Sequence, residues 1–332
     1  MLISSALLSG TDAARAWERS YPTTKQADAA IGGQVATYRL LMPFMTNSAT
    51  FFSSLDSRFG IVTSSGMDRR VVVDLLKASA YYDYRWGEPV VGKDYLQTVS
   101  RDGQTYNGFD DFVRSHRGLY WQVGNEPNVP NQDNVSAAAY AQRYNAWVTR
   151  IKALDPMARV MNGGIVNWPD VVGDIGAGLA YLRDFRESYR SQYGQYPPID
   201  VWNLHTYAPF AVDDGRLRTY CDSSAGRYFI VQVTDYLRDA GQTQPVWLTE
   251  FGLDWNWDSV PQCYDPTRRV WTTPSAFMIE MVDWLRSTGL VARWFWFSDN
   301  AWDRGNGGAL VDRSTSLTTL GQTYRDLAVG IR

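Results

Sequence analysis

The feature that most constrains the fold of this chain is a unit that recurs in its second half. Each unit joins a short apolar run, a polar loop and an amphipathic stretch with helical periodicity. The apolar runs are predicted strands at Leu119–Glu126, Arg159–Val166, Ile199–Tyr207, Pro245–Glu250 and Ala292–Phe297. Helices are predicted at Ser136–Leu154, Leu179–Tyr193, Phe229–Ala240, Ser275–Ser287 and Leu320–Ile331. Strands that alternate with helices indicate a parallel sheet, and no dinucleotide-binding GxGxxG loop occurs, so the pattern favours an α/β fold, a closed (β/α)8 TIM barrel.

The first third of the chain is less regular. Leu2–Leu8 and Thr37–Phe44 are candidates for strands one and two, and strand three is either Val71–Leu76 or Ala80–Trp86. No linker rich in Pro, Gly or Ser divides the 332 residues. Because α/β barrels routinely exceed about 250 residues as one domain, residues 1–332 are predicted to form a single domain.

The composition excludes several classes of function. The chain has two histidines, His116 and His205, whereas zinc and two-metal centres usually need several close together, so no metal and no cofactor are expected. The net charge of −3 argues against nucleic acid as a partner. No apolar run reaches the ~18 residues that a membrane span requires, so no membrane partner is expected.

Two glutamates stand at the ends of predicted strands, where the sites of such barrels lie. Glu126 follows one strand in Gly124-Asn125-Glu126-Pro127, and Glu250 ends another in Thr249-Glu250-Phe251-Gly252. Strict alternation places Val246 and Leu248 on the side of Glu250, as an apolar column that points into the barrel. By the same alternation, Trp202 and Trp247 face the helices.

The strand between the two glutamates becomes polar towards its end. Val201, Asn203, His205 and Tyr207 share one side of Ile199–Tyr207, as a site at the mouth of a barrel requires. Two carboxyl groups at one mouth suit glycoside hydrolysis, because one must be protonated to release the leaving oxygen and the other ionised to attack the anomeric carbon. These motifs predict a pair of catalytic carboxyl groups.

Across Leu119–Asn300 these motifs resemble clan A of the retaining glycoside hydrolases, the 4/7 superfamily of (β/α)8 barrels. The resemblance implies that Glu126 is the general acid/base and that Glu250 is the nucleophile. It further implies that Asn125 binds the sugar 2-hydroxyl, that Tyr207 orients Glu250 and that His205 lies near both. Two further roles follow from it: Arg39 contacts the nucleophile, and Trp296 lies beneath the reacting sugar. The motifs do not identify the family within the clan.

The aromatic residues form two groups. Trp147 and Trp284 lie at helical spacing and are predicted in the core. Other aromatic and polar residues follow strand ends in loops, where they either line sugar subsites or close the loops: Asn167, Trp168, Trp255, Trp257 and Trp302.

The two cysteines lie in long loops after neighbouring strands. Cys221 falls in Ala208–Gly226 and Cys263 in Leu253–Thr272. A disulfide there would brace the rim of the barrel and imply an oxidising compartment, extracellular or periplasmic; the alternative is two free thiols. The first ten residues lack a basic region and a clear cleavage site, so no signal peptide is predicted.

The sequence therefore predicts a monomeric, retaining, endo-acting hydrolase of a β-linked glucan-like or xylan-like carbohydrate. Long loops favour a groove for a polymer. Three alternatives share these residues: an exo-acting β-glycosidase, a transglycosylase and a sugar-binding barrel without catalysis.

Overall fold

The computed structural model describes residues 55–63, 67–84, 87–99, 107–130, 132–166, 177–208, 210–213, 216–253, 263–299 and 308–331. The strands of these residues are β1 (Phe59–Val62), β2 (Ala80–Asp83), β3 (Asp94–Val99), β4 (Tyr120–Val123), β5 (Arg159–Asn162), β6 (Ile165–Val166), β7 (Trp202–Tyr207), β8 (Phe210–Asp213), β9 (Arg216–Thr219), β10 (Val246–Gly252), β11 (Cys263–Asp265), β12 (Val270–Thr272) and β13 (Arg293–Trp296). The helices are α1 (Arg69–Leu76), α2 (Phe109–Ser115), α3 (Ala137–Leu154), α4 (Ala177–Tyr193), α5 (Ser224–Asp239), α6 (Pro274–Thr288) and α7 (Thr319–Ala328).

Nine parallel strands form a nearly closed barrel, in the order β5-β4-β3-β2-β1-β13-β10-β7-β6. A parallel bridge between Met161 and Val201 joins β5 to the start of β7, and the side chain of Asn162 bonds to the main chain of Asn203 in both directions. If the consecutive β5 and β6 are counted as one stave, the barrel has eight staves. The α/β barrel predicted from the alternation of strands and helices is confirmed.

Two apolar layers surround the strands. Inside the barrel lies a small cluster made of Val62, Ala80, Tyr82, Leu96, Tyr120, Met161, Val201, Trp247 and Phe295. Outside it, the helices pack on the strands through a larger cluster that includes Trp147 and Trp284, as predicted for these two residues. The inner cluster fills the lumen, so the polar residues collect at the end where the parallel strands finish.

Local signals set the ends of the helices. The Ser136 hydroxyl accepts a hydrogen bond from the main-chain N–H of Ala139 and caps α3, as this sequence predicts. Thr273 caps α6 in the same way, with Pro274 at its first position and Gly289 in the left-handed conformation at its end.

The first third differs from the prediction. Val71–Leu76 lies in α1, because Asp68 caps a helix there, and the second stave is Ala80–Asp83. Strands β1 and β3 were not predicted. Leu2–Leu8 and Thr37–Phe44 lie outside the described residues.

The alternation predicted along β10 is wrong. Val246 and Leu248 belong to the outer cluster and Trp247 to the inner one. The pairing of β10 with β7 shifts between Leu248 and Glu250, so Thr249 is an extra residue in the strand. Because of this bulge Glu250 faces the lumen, as predicted, although Val246 and Leu248 face the helices. Trp202 faces the helices, as predicted.

Two hairpins extend the loops at the barrel mouth, β8–β9 after β7 and β11–β12 after β10. A disulfide between Cys221 and Cys263 joins these loops, with the two Cα atoms 5.6 Å apart, so the predicted pairing is present. In the part of the chain that is described, no helix is both long and apolar enough to cross a membrane.

Candidate active site

The loop after β4 holds Glu126 in an unusual backbone conformation. Gly124 has a φ of 79°, and a Cβ atom there would lie 2.4 Å from Oδ2 of Asp133. The Asp133 carboxylate accepts from the main-chain N–H of Asn125 at 3.2 Å and pairs with Arg143 at 3.0 Å. Glu126 itself has a φ of 45°, in the left-handed region where a residue with a Cβ atom is strained. Strain of this kind is concentrated at functional sites.

The carboxyl group of Glu126 is only 3% exposed. Its Oε1 lies 2.9 Å from Nδ1 of His205. Burial, helped by the negative charge of Asp133, raises the pKa of Glu126 to about 8. Glu126 is therefore set up to carry a proton at neutral pH.

The carboxyl group of Glu250 is equally buried but has different partners. The Tyr84 hydroxyl donates to Oε1 and the Tyr207 hydroxyl to Oε2. Burial and the negative charge of Glu126 raise the pKa of Glu250 above its usual value, and the adjacent His205 and the two tyrosine hydroxyls partly offset this rise. The two hydroxyl donors favour the ionised form of this group.

The two carboxyl groups share one small space with His205. One oxygen from each glutamate and a ring nitrogen of His205 all lie within 4.8 Å of one another. Nδ1 of His205 is 3.6 Å from Oε2 of Glu250. Three buried donors so placed have the geometry to hold a metal ion, although no metal was expected. The arrangement also suits a proton donor beside an anionic nucleophile.

The chain makes room for His205 with a glycine. A Cβ atom on Gly164 would lie 2.1 Å from the imidazole ring, and one on Gly163 would lie 3.0 Å from the main chain of Gly124. The pair Gly163-Gly164 therefore lets the β5–β6 connection pass directly behind the Glu126 loop and the histidine.

Five predicted residues meet at this site: Asn125, Glu126, His205, Tyr207 and Glu250. Asn125 is half-buried, and its Oδ1 accepts from Nε2 of Gln122 at 3.1 Å and from the hydroxyl of Tyr82 at 3.4 Å.

Trp296 is not placed where the resemblance put it. The ring is fully buried in the outer cluster, packs against Phe251 and Phe277 and donates its N–H to the carbonyl oxygen of Gly308. Its side chain therefore points towards the helices, which corrects the expectation that it lies beneath a sugar. The aromatic ring beside Tyr207 is that of Phe297, at a centroid distance of 5.8 Å.

Six predicted site residues fall outside the described part of the chain: Arg39, Asn167, Trp168, Trp255, Trp257 and Trp302.

Sequence reasoning missed four residues that shape the site. Tyr84 is the most important, because it donates directly to Glu250. Asp133 holds the Glu126 loop, and Gln122 and Thr249 bond beneath it. The available signal was the alternation of tyrosines after Ala80, which would have put Tyr82 and Tyr84 on one side of a strand.

Comparison with known proteins gives a family. The profile described as "Glycosyl hydrolase catalytic core" matches residues 104–324, which contain both glutamates. No curated protein sequence matches the chain.

The fold is also similar to several solved structures. A GH128 subgroup II endo-β-1,3-glucanase from Pseudomonas viridiflava has 24% identity and a TM-score of 0.58, over 81% of this chain and 96% of that one. A subgroup I endo-β-1,3-glucanase from Amycolatopsis mediterranei, bound to laminaritriose, has 19% identity and a TM-score of 0.55, over 82% and 100%. A subgroup III curdlan-specific exo-β-1,3-glucanase from Blastomyces gilchristii, bound to glucose, has 18% identity and a TM-score of 0.55, over 81% and 97%.

Proposed function

The chain belongs to the glycosyl hydrolase catalytic core family, and on this premise we propose that it cleaves β-linked glucan by a retaining double displacement. The observation that carries the proposal is the pair Glu126 and Glu250, two buried carboxyl groups at the barrel mouth with different partners. Glu126 meets a ring nitrogen of His205, whereas Glu250 accepts hydrogen bonds from two tyrosine hydroxyls. A pair that differs in this way supplies an acid and a nucleophile.

In this proposal Glu250 is the nucleophile. Its two oxygens accept from Tyr84 and Tyr207, which stabilise the charge and fix the direction of the carboxylate. An oxygen of Glu250 attacks the anomeric carbon as the bond from that carbon to the leaving oxygen breaks. The product is a covalent glycosyl–enzyme ester.

Glu126 is the general acid and then the general base. Its pKa, raised by burial to about 8, keeps it protonated at neutral pH. It gives this proton to the leaving oxygen in the first step. In the second step it takes a proton from the water that attacks the anomeric carbon and releases Glu250.

Two geometric observations support retention. One oxygen from each glutamate lies within 4.8 Å of the other, which is closer to the ~5–5.5 Å of retaining pairs than to the ~6.5–9.5 Å of inverting pairs. Glu126 follows the fourth stave and Glu250 lies in the seventh, the placement that the 4/7 superfamily has. We propose membership of clan A on this basis.

We propose a β-1,3-linked glucan as the first substrate to test, because the similar structures include enzymes described as β-1,3-glucanases. Endo action is favoured by the two hairpins that lengthen the mouth loops. The exo-acting neighbour makes exo action the second candidate. A panel of soluble β-1,3-, β-1,4- and mixed-linked glucans and xylan separates these proposals: endo action releases a range of oligosaccharides at early times, and exo action releases a single small product.

The decisive experiment combines product analysis with variants. The variants Glu126→Gln and Glu250→Gln should each reduce turnover of the best polysaccharide by at least about a thousandfold, and proton NMR of the first product should show the β-anomer. Glu187→Gln, at the surface of α4, is the matched control. The α-anomer as first product would overturn retention, and unchanged turnover by both active-site variants would overturn the assigned roles. Longer products in the presence of acceptor sugars would identify a transglycosylase, and binding without turnover a sugar-binding barrel.

We further propose that residues 1–332 act as one monomeric catalytic domain in an extracellular or periplasmic compartment. The disulfide between Cys221 and Cys263 supports an oxidising compartment.

A further inference from the structure

Beneath the two glutamates, a chain of buried polar side chains leads from main-chain carbonyl groups to His205. Its members are Gln122, Asn203 and Thr249, and all are fully buried. They reach the place where the reaction is proposed to occur through hydrogen bonds to His205, Asn125 and Tyr82. Their hydrogen bonds can be assigned one after another, because a main-chain carbonyl oxygen can only accept.

The two amide side chains are oriented by such carbonyl groups. The Gln122 nitrogen donates to the carbonyl oxygen of Gly124 at 3.0 Å, and the Asn203 nitrogen donates to the carbonyl oxygen of Asn162 at 3.2 Å. The Asn203 nitrogen also donates to Oε1 of Gln122 at 2.8 Å. Hence the oxygens of Gln122 and Asn203 are the atoms that face Thr249.

The proton of the Thr249 hydroxyl is then directed towards these amide oxygens. Its Oγ1 lies 2.6 Å from Oδ1 of Asn203 and 3.5 Å from Oε1 of Gln122, and both of these atoms are acceptors. A hydroxyl has a single proton, so Thr249 donates to Asn203 and only its lone pairs remain for other partners.

His205 must supply the hydrogen of the next bond. Its Nε2 lies 2.9 Å from Oγ1 of Thr249, so Nε2 carries a hydrogen and the neutral ring has its lone pair on Nδ1. That nitrogen lies 2.9 Å from Oε1 of Glu126, and the hydrogen of this contact comes from the carboxylic acid. We propose that Thr249 is a positioning residue that locks His205 in the Nε2–H tautomer, so that Nδ1 accepts from, and thereby maintains, the protonated form of Glu126.

The charged and titratable groups around this contact are compatible with a neutral ring beside a neutral acid. Glu250 faces Nδ1 from β10 at 3.6 Å and favours a charged ring, but burial of the imidazole outweighs this and lowers the pKa of His205. Asp133, paired with Arg143, raises the pKa of Glu126 further. The described tyrosines nearest to this contact are Tyr84 and Tyr207, and both donate to Glu250.

The lock has a consequence for the proposed reaction cycle, and this part rests on the proposed function. After Glu126 has given its proton to the leaving oxygen, its carboxylate faces a lone pair on Nδ1 instead of a donor. The ionised form is then poorly stabilised, which favours removal of a proton from the incoming water. With the other tautomer, Nδ1–H would stabilise the carboxylate and lower the pKa of Glu126, so that less of it would be protonated at neutral pH.

The test compares Thr249→Val, which keeps the branched shape but removes the hydroxyl, with Thr249→Ser, which keeps the hydroxyl. Histidine-selective ¹⁵N NMR reports the tautomer directly. The chain has only two histidines, so His116→Gln assigns the spectrum. For His205, we expect wild type and Thr249→Ser to show hydrogen on Nε2 alone, and Thr249→Val to gain the Nδ1–H form. A His205 ring that carries hydrogen on Nδ1, alone or together with Nε2, in the wild type would overturn the proposal.

The kinetic readout is the alkaline limb of the kcat/KM profile. It should move about one pH unit lower in Thr249→Val, since a donor facing Glu126 favours its charged form, and should stay in place in Thr249→Ser. Thr323→Val, a buried threonine on α7, is the control for a general loss of stability. An unmoved limb in a folded Thr249→Val protein would overturn the proposal. If the wild type hydrolyses no glycan, the proposed function fails, while the NMR comparison still decides the tautomer.

Discussion

Removing the hydroxyl groups that hold Glu250 should raise its pKa by an amount that depends on how well water can replace them. The variants are Tyr84→Phe and Tyr207→Phe, each of which deletes one donor to the carboxylate. A hydrogen bond to a charged group contributes about 1.5–3 kcal/mol, and one pKa unit corresponds to about 1.4 kcal/mol. The expected rise is therefore about one to two pKa units.

The structure ranks the two variants. Tyr84 is 44% exposed as a whole residue, so water can enter beside its ring once the hydroxyl is removed, and we expect the lower value, about one unit. Tyr207 is 9% exposed, and its loss leaves the buried oxygen without a donor, so we expect about two units. Because Glu250 must be ionised to attack, activity is lost as the pH falls through its pKa, and the acid limb of the kcat/KM profile moves to higher pH.

The assay is the pH dependence of kcat/KM on the best soluble glucan, with Tyr193→Phe on the exposed end of α4 as the matched control. Below the shifted limb, Tyr84→Phe should lose about tenfold and Tyr207→Phe about a hundredfold. A uniform loss at all pH values, with the acid limb unmoved in both variants, would refute the reasoning that these hydroxyls set the ionisation of Glu250.

Three further outcomes are expected. Gly164→Ala should abolish most activity, because the added Cβ atom would lie 2.1 Å from the ring of His205. Gly194→Ala meets no atom and strains only a backbone φ of 72° at the end of α4, so it should lower stability but leave kcat of the folded protein unchanged; equal activity of the two variants would count against the role of His205. Cys221→Ser with Cys263→Ser should lower the free energy of unfolding by about 4 kcal/mol, as expected for a bond that spans 42 residues, and a denaturant midpoint equal to that of wild type would contradict this. Dialysis against EDTA should leave turnover unchanged despite the clustered donors of Glu126, His205 and Glu250; loss that a divalent metal restores would identify a metal site.

Sequence alone could predict the barrel and the pair of glutamates because both depend on strong local patterns. The strand–helix alternation from Leu119 onwards gave every later stave, and parallel strands bring their ends to one edge whatever their exact bounds. Before Tyr120 the described helices are short, with eight residues in α1 and seven in α2, and β2 leads to β3 without a described helix between them, so helical periodicity is a weak signal there. That is why Tyr84, a direct partner of Glu250, was missed.

Predictions about side-chain direction were less dependable, because they assume an unbroken strand. Val201, Asn203, His205 and Tyr207 alternate regularly, and the face predicted for the latter three is the one that meets the glutamates. On β10 the same reasoning failed for Trp247, since a bulge changes which face each residue occupies. Composition and hydrophobic periodicity do not mark a one-residue bulge, whose position depends on pairing with the neighbouring strand.

The bulge at Thr249 also explains how one strand can serve both glutamates. In a regular strand consecutive side chains point to opposite faces, so Thr249 and Glu250 could not both reach the lumen. The shifted pairing between Leu248 and Glu250 removes this restriction, and the hydroxyl of Thr249 meets His205 while the carboxylate of Glu250 meets the two tyrosines. The tautomer that we propose for the partner of the acid and the position of the nucleophile therefore depend on the same local departure from strand geometry. A deletion of one residue in this segment should consequently disturb both limbs of the pH profile, whereas Thr249→Val should move only the alkaline limb.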